Sequence, residues 1–138
     1  MSLRTWLAER FRPKSLGQRG EDAAARYLKR LGYHILARHC RTRLGELDLI
    51  AADGRTVVFV EVKTRRTTDA GHPADAIDPR KEQRMTQAAL AYLKAHGLLD
   101  YSARFDVVAI TWPADSRRPT IEHFQNAFSP PGKGQFFA

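Results

Sequence analysis

Residues 45–64 read GELDLIAADGRTVVFVEVKT, two runs of strand-forming residues around a turn dipeptide. The first run covers residues 45–52 and the second 56–64. Asp53-Gly54 between them is a strong hairpin signal, so two antiparallel strands are expected. With a two-residue loop at Asp53-Gly54, Glu46 stands opposite Glu61 and Asp48 opposite Phe59. Side chains alternate faces along a strand, so Glu46, Asp48, Phe59, Glu61 and Lys63 project to one side, with Asp48 and Glu61 on a diagonal roughly 7–8 Å apart. A three-residue loop would change the parity and separate Asp48 from Glu61.

Glu61 and Lys63 interrupt a β-branched, apolar strand, where a buried charge is expensive unless it is paired. Glu46 facing Glu61 sets like charges across the ladder, which costs stability and raises carboxylate pKa values unless a cation lies between them. A hard divalent ion would remove that repulsion, and oxygen-rich clusters suit Mg²⁺ or Mn²⁺ rather than zinc. A purely structural ion-pair set, Glu61 with Lys63 or Arg43, is the alternative.

Upstream of the hairpin, Ser15 and Gln18 form a capping-box pattern that opens a helix over residues 16–31, stopped by Gly32. Residues 33–40 read as a strand. Glu21 lies on the inward stripe of that helix with Ala24, Leu28 and Leu31, so it approaches Asp48 and Glu61 if the stripe packs on the hairpin; otherwise it caps the helix or pairs with an arginine. Downstream, residues 65–77 read as a long loop. Asp78-Pro79 then starts a helix that ends at Gly97, with Met85, Ala88, Ala89, Tyr92 and Leu93 as one buried stripe. Strands at 103–112 and 120–125 complete the order α-β-β-β-α-β-β, an α/β fold with a mixed sheet flanked by helices.

The chain has 138 residues, enough for one domain. That domain is expected over residues 15–128, between a basic N-terminal arm, 1–14, and a flexible C-terminal tail, 129–138. Trp6 and Phe11 of the arm read as an amphipathic packing segment, with base stacking as the other option. The net charge is +8, and residues 1–43 hold 11 Lys/Arg against 3 Asp/Glu, so the excess is concentrated in the first third. Such a segment attracts phosphate polyanions or anionic membranes. Cys40 is the only cysteine, which excludes an internal disulfide and a cysteine zinc cluster. His34, His39, His72, His96 and His123 lack zinc-ligand spacing and read as surface or loop residues. The longest apolar run, Val57 to Val60, is far short of the roughly 20 residues that span a bilayer, and the first residues hold no signal-peptide core. A cytoplasmic protein with no membrane contact is expected.

Metal-dependent phosphodiester hydrolysis needs carboxylates to fix the ion and a nearby cation for developing charge. Asp48, Glu61 and Lys63 are groups of those kinds. Arg41, Arg43, Arg65 and Arg66 bracket the two strands and suit phosphate oxygens. Lys81, spaced with Met85 and Ala88, either faces the cleft as a further nucleic-acid contact or snorkels to solvent. Arg104 to Val107 reads as a sheet segment in which Phe105 and Val107 face the core and Asp106 pairs with an arginine.

Asp48 followed by Glu61-Val62-Lys63 resembles the D…(D/E)XK signature of the PD-(D/E)XK nuclease superfamily. Gly17-Gln18-Arg19-Gly20-Glu21, residues 41–50, residues 59–65, Arg104-Phe105-Asp106-Val107 and Asn126-Ala127-Phe128 together resemble the YraN-type family of small, uncharacterised bacterial proteins. The resemblance spans roughly residues 15–128, with Leu47 in place of the signature proline. It implies a restriction-endonuclease-like core close to archaeal Holliday-junction resolvases. By position it implies Asp48 and Glu61 as metal ligands, the Val62 carbonyl as a third, Lys63 as the water-orienting residue and Glu21 as the helix acidic residue. The expected function is a Mg²⁺- or Mn²⁺-dependent nuclease acting on DNA, with branched or junction DNA and a homodimer suggested by analogy. The rival is a non-catalytic nucleic-acid-binding module acting through protein partners. A third reading makes the carboxylates purely structural.

Overall fold

A computed structural model describes residues 1–69, 71–72 and 77–130. The elements are α1 (Leu3–Arg10), α2 (Leu16–Arg30), β1 (His34–Thr42), β2 (Gly45–Asp53), β3 (Thr56–Arg65), α3 (Pro79–Ala95), β4 (Ala103–Thr111) and β5 (Thr120–Phe128). Part of the expected 65–77 loop (residue 70 and residues 73–76) and the expected tail from residue 131 onward lie outside the described residues.

The five strands make one sheet in the order β1-β2-β3-β4-β5. Neighbours are antiparallel except β3 and β4, which run parallel and are connected through α3, since a parallel pair needs a crossover rather than a tight turn. Helices cover both faces, which is why β3 and β4 read as near-continuous apolar runs. On one face Ile50, Phe59 and Phe105 pack with the α3 stripe of Met85, Ala88, Ala89, Tyr92 and Leu93. On the other, Leu49, Val58, Val60 and Ile110 pack with Ala24 and Leu28 of α2. The capping box at Ser15 and Gln18 and the N-cap at Asp78 are present as expected.

Two expectations are corrected. The order is α-α-β-β-β-α-β-β, because residues 3–10 of the expected arm form a helix whose N-cap is Ser2. That helix buries none of its residues, and Trp6 and Phe11 are 48% and 73% exposed, so the segment does not pack as an amphipathic face. The hairpin loop is Gly54-Arg55 rather than Asp53-Gly54, for Asp53 pairs with Thr56 as the last rung of the β2–β3 ladder. Gly54 takes φ +58° and Arg55 keeps the ordinary negative sign, the sign pattern of a type II′ turn with glycine first. The register therefore slips by two. Asp48, not Glu46, stands across from Glu61 when the pairing is extended one step beyond Leu49–Val60. Parity survives a two-residue slip, and Asp48 and Glu61 still line one cleft, whereas Lys63 is not among its lining residues.

Gly20 sets the approach of α2 to the sheet. A Cβ there would lie 2.8 Å from both Cβ and Cγ2 of Thr64, and closer still to its hydroxyl. Gly20→Ala is expected to cost about 1–3 kcal/mol by overpacking, although alanine is the better helix former. Urea denaturation measures it; an unchanged or higher stability would show that α2 can retreat without loss.

Candidate active site

Asp48 and Glu61 arrive from adjacent strands just past the last paired rung of the β2–β3 ladder, where β2 still pairs with β1 and β3 with β4. There the Asp48 carboxylate accepts the Val62 N–H at 2.9 Å, a side chain taking a backbone donor of β3. Glu46, Asp48 and Glu61 line a cleft of about 540 Å³ whose opposite wall is the first turns of α3, with Arg80, Lys81, Arg84 and Met85. Glu61 is 9% exposed, and its carboxylate accepts from Lys81 Nζ at 2.5 Å. The Asp78 cap and Pro79 orient that first turn, and Gly45 lets β2 pass 3.3 Å from the Arg84 carbonyl, measured from where its Cβ would stand.

Glu21 enters from α2. Its Oε2 lies 2.6 Å from His39 Nε2 as an ion-pair contact, and it is the only buried side-chain oxygen or nitrogen without a hydrogen-bond partner among the described residues. His39 also stands 3.8 Å from Glu46 through Nδ1. It adopts φ +51°, a conformation a non-glycine residue rarely takes, and one that clusters at functional sites. Nothing in the spacing of the histidines pointed to it. His123, expected on the surface, is instead buried, its side chain only 5% exposed.

Burial pushes the Glu61 carboxyl up, and the Asp48 charge pushes it further against the pull of Lys81. Glu21 is raised by burial and by Asp48, and Asp48 by burial, only partly offset by the Val62 N–H and Lys81. Asp48 is thus the common member of the cluster. Glu21 feels Asp48 and Glu46 rather than Glu61, so it joins the cluster from the side of β1. Carboxyls raised in the folded state contribute stability below their unfolded pKa of about 4 and lose it as pH climbs through the raised values. Asp48→Asn, which keeps an acceptor for Val62, is therefore expected to raise the melting temperature of metal-free protein at pH 7.5. The gain should be on the order of 1 kcal/mol, as for relief of a like-charge cross-strand pair, and should shrink near pH 4. A lower melting temperature for the variant at pH 7.5 would contradict this.

The remaining expected residues are placed as follows. Lys63 is exposed and has no ion-pair partner among the described residues. Arg41 is exposed beside Glu46 at 3.8 Å, and Arg43 is exposed at the β1–β2 turn. Arg65 donates to the Gly71 carbonyl and Arg66 to the Trp112 carbonyl, so both are held by backbone at the far end of β3. Arg80 and Arg84 were missed, although their i, i+4 spacing around Lys81 is a legible signal.

Asp48, Glu61, Glu21 and the Val62 carbonyl offer hard oxygen donors of the kind that Mg²⁺ or Mn²⁺ takes, and the buried Glu21 oxygen that lacks a hydrogen-bond donor fits that chemistry. They are not drawn into a coordination shell: among the described residues no three His, Cys, Asp or Glu side chains are gathered for a metal, and Lys81 supplies the positive charge beside Glu61.

Fold and site define a small α/β protein with, among the described residues, a five-stranded mixed sheet, three helices and a carboxylate cleft rimmed by basic side chains. The chain belongs to the uncharacterised protein family UPF0102, whose family model matches residues 20–110. It is similar to UPF0102 proteins of Geobacter sulfurreducens (55% identical over 115 residues, 83% of this chain and 89% of the relative) and Rhodopirellula baltica (51% over 125 residues, 88% and 75%). The likeness extends to Geotalea daltonii, at 49% over 115 residues, 83% and 90%. The expectation of a small, uncharacterised bacterial family is thereby met. Among the described residues no helix is long and apolar enough to cross a membrane.

Proposed function

We propose that this chain is a divalent-metal-dependent nuclease with a restriction-endonuclease-like core, hydrolysing phosphodiester bonds of DNA, with branched or junction DNA as the favoured substrate. The observation that carries it is the meeting of Asp48 and Glu61, across adjacent strands, in one cleft walled by Arg80, Lys81 and Arg84. Asp48, Glu61 and the Val62 carbonyl would hold Mg²⁺ or Mn²⁺, with Glu21 on the α2 side. Such an ion, when bound, polarises a non-bridging phosphate oxygen and acidifies a water. The Lys63 ammonium, on the same strand as Glu61, orients the attacking water and offsets charge developing on the phosphoryl oxygens. Arg41, Arg43 and Lys81 bind flanking phosphates.

A non-catalytic nucleic-acid-binding module is the second reading, favoured by one observation: Lys81 already neutralises Glu61, and among the described residues the carboxylates are not gathered for a metal. Incubating the protein with labelled single-stranded, duplex, flap and four-way-junction DNA in Mn²⁺ separates the two readings. Cleavage supports the nuclease and identifies its substrate. Salt-sensitive retention without cleavage supports the binding module, and neither retention nor cleavage contradicts both.

A further inference from the structure

A second basic site lies on the α2 face of the sheet. Arg26 and Arg30, one turn apart on α2, line a cavity of about 500 Å³ together with Arg117 and Arg118 of the β4–β5 connection. Its floor is Trp112, 6% exposed, whose indole N–H donates to the Ser116 carbonyl at 3.1 Å. The Arg19 guanidinium lies 4.1 Å from the centroid of that ring, and Arg66 donates to the Trp112 carbonyl at 3.1 Å.

Among the described residues none of these arginines forms an ion pair. Asp22, one turn before Arg26, is taken by Lys14 and Arg38, and Asp115 and Glu122, beside Arg117 and Arg118, are exposed and pair with none of them. Like charges lining one cavity repel, and a bound anion relieves that repulsion. Guanidinium forks match phosphate oxygens bidentately, which no carboxylate here satisfies internally. Trp112 is buried and already covered by Arg19, so its ring is closed to base stacking. The cavity is therefore suited to a phosphate backbone rather than to bases.

The cavity lies on the α2 face of the sheet and the cleft against α3 on the other. We propose that the Arg26–Arg30–Arg117–Arg118 cavity binds the sugar-phosphate backbone of the nucleic acid that enters the carboxylate cleft. The proposal rests on the nucleic-acid reading of the cleft.

The test uses the full chain, labelled duplex DNA and a salt series, comparing wild type with Arg26→Gln/Arg30→Gln and Arg117→Gln/Arg118→Gln. All four side chains are exposed, and unchanged melting of the variants verifies their fold. For each phosphate that a variant no longer neutralises, the slope of log affinity against log salt should flatten by about 0.9. With two phosphates released in this way, the affinity drop between 50 and 200 mM salt becomes roughly tenfold smaller. A wild type that retains DNA while both variants keep its slope and affinity overturns the cavity and leaves the cleft reading standing. A wild type that retains no DNA overturns the nucleic-acid reading itself, and the cavity with it.

Discussion

Asp106→Ala is expected to lower the folding free energy by about 3–5 kcal/mol, the cost of removing one partner from a buried ion pair. Asp106 is fully buried in β4. It accepts from Arg104 Nε at 3.0 Å and the Asn126 N–H at 3.0 Å, with His123 Nε2 at 2.8 Å. Burial alone would push its carboxyl up, but these donors outweigh burial and hold it low. Truncation strands the Arg104 guanidinium, 13% exposed, and the His123 ring without their shared acceptor. Arg104 also reaches Asp53 at 3.1 Å and the Tyr33 hydroxyl at 2.8 Å, so the loss extends to the end of β2 and the entry to β1. The depressed carboxyl contributes stability above its unfolded pKa of about 3.9, and that stability is lost as pH falls through the lower folded value. Denaturant unfolding at pH 7 and pH 3 measures both effects: the variant's deficit should narrow in acid. A deficit under about 1 kcal/mol at pH 7 would mean that the network contributes little.

Lys63→Ala is expected to reduce DNA cleavage by about 10²- to 10³-fold, the usual loss when one preorganised charge stabiliser is removed. Binding should fall far less. Lys63 sits on the exposed margin of β3 with no carboxylate committed to it, so its truncation leaves no buried group unsatisfied and the fold should be unaffected. Lys81 differs in kind, because it neutralises the buried Glu61 carboxylate and its loss would disturb the cleft itself. Single-turnover cleavage with saturating DNA isolates the chemical step. A variant that cleaves at the wild-type rate would remove Lys63 from the chemistry.

The hairpin shows how far sequence carried the account. Asp-Gly most often sits at the two central positions of a type I′ turn, and here glycine takes the first central position of a two-residue loop instead. That moved the register by two and set Asp48, rather than Glu46, opposite Glu61. Asp48 and Glu61 still meet in one cleft because the slip was even. The apolar stripe of α3 was legible because one turn-by-turn pattern answers to one buried face. The Arg104 network was legible only in its local pair, since Tyr33, Asp53 and His123 join it from distant parts of the chain. The positive φ of His39 has no signature in composition or spacing, for the surrounding tertiary structure imposes it. Arg80 and Arg84 acquire meaning only once α3 is set against β2.

The most direct test of the central claim is a calorimetric titration of Mn²⁺ into wild type and Asp48→Asn at pH 7.5. The account predicts saturable binding to wild type and loss of that binding in the variant. Equal binding to both proteins, or none to wild type, would contradict a metal site built on Asp48.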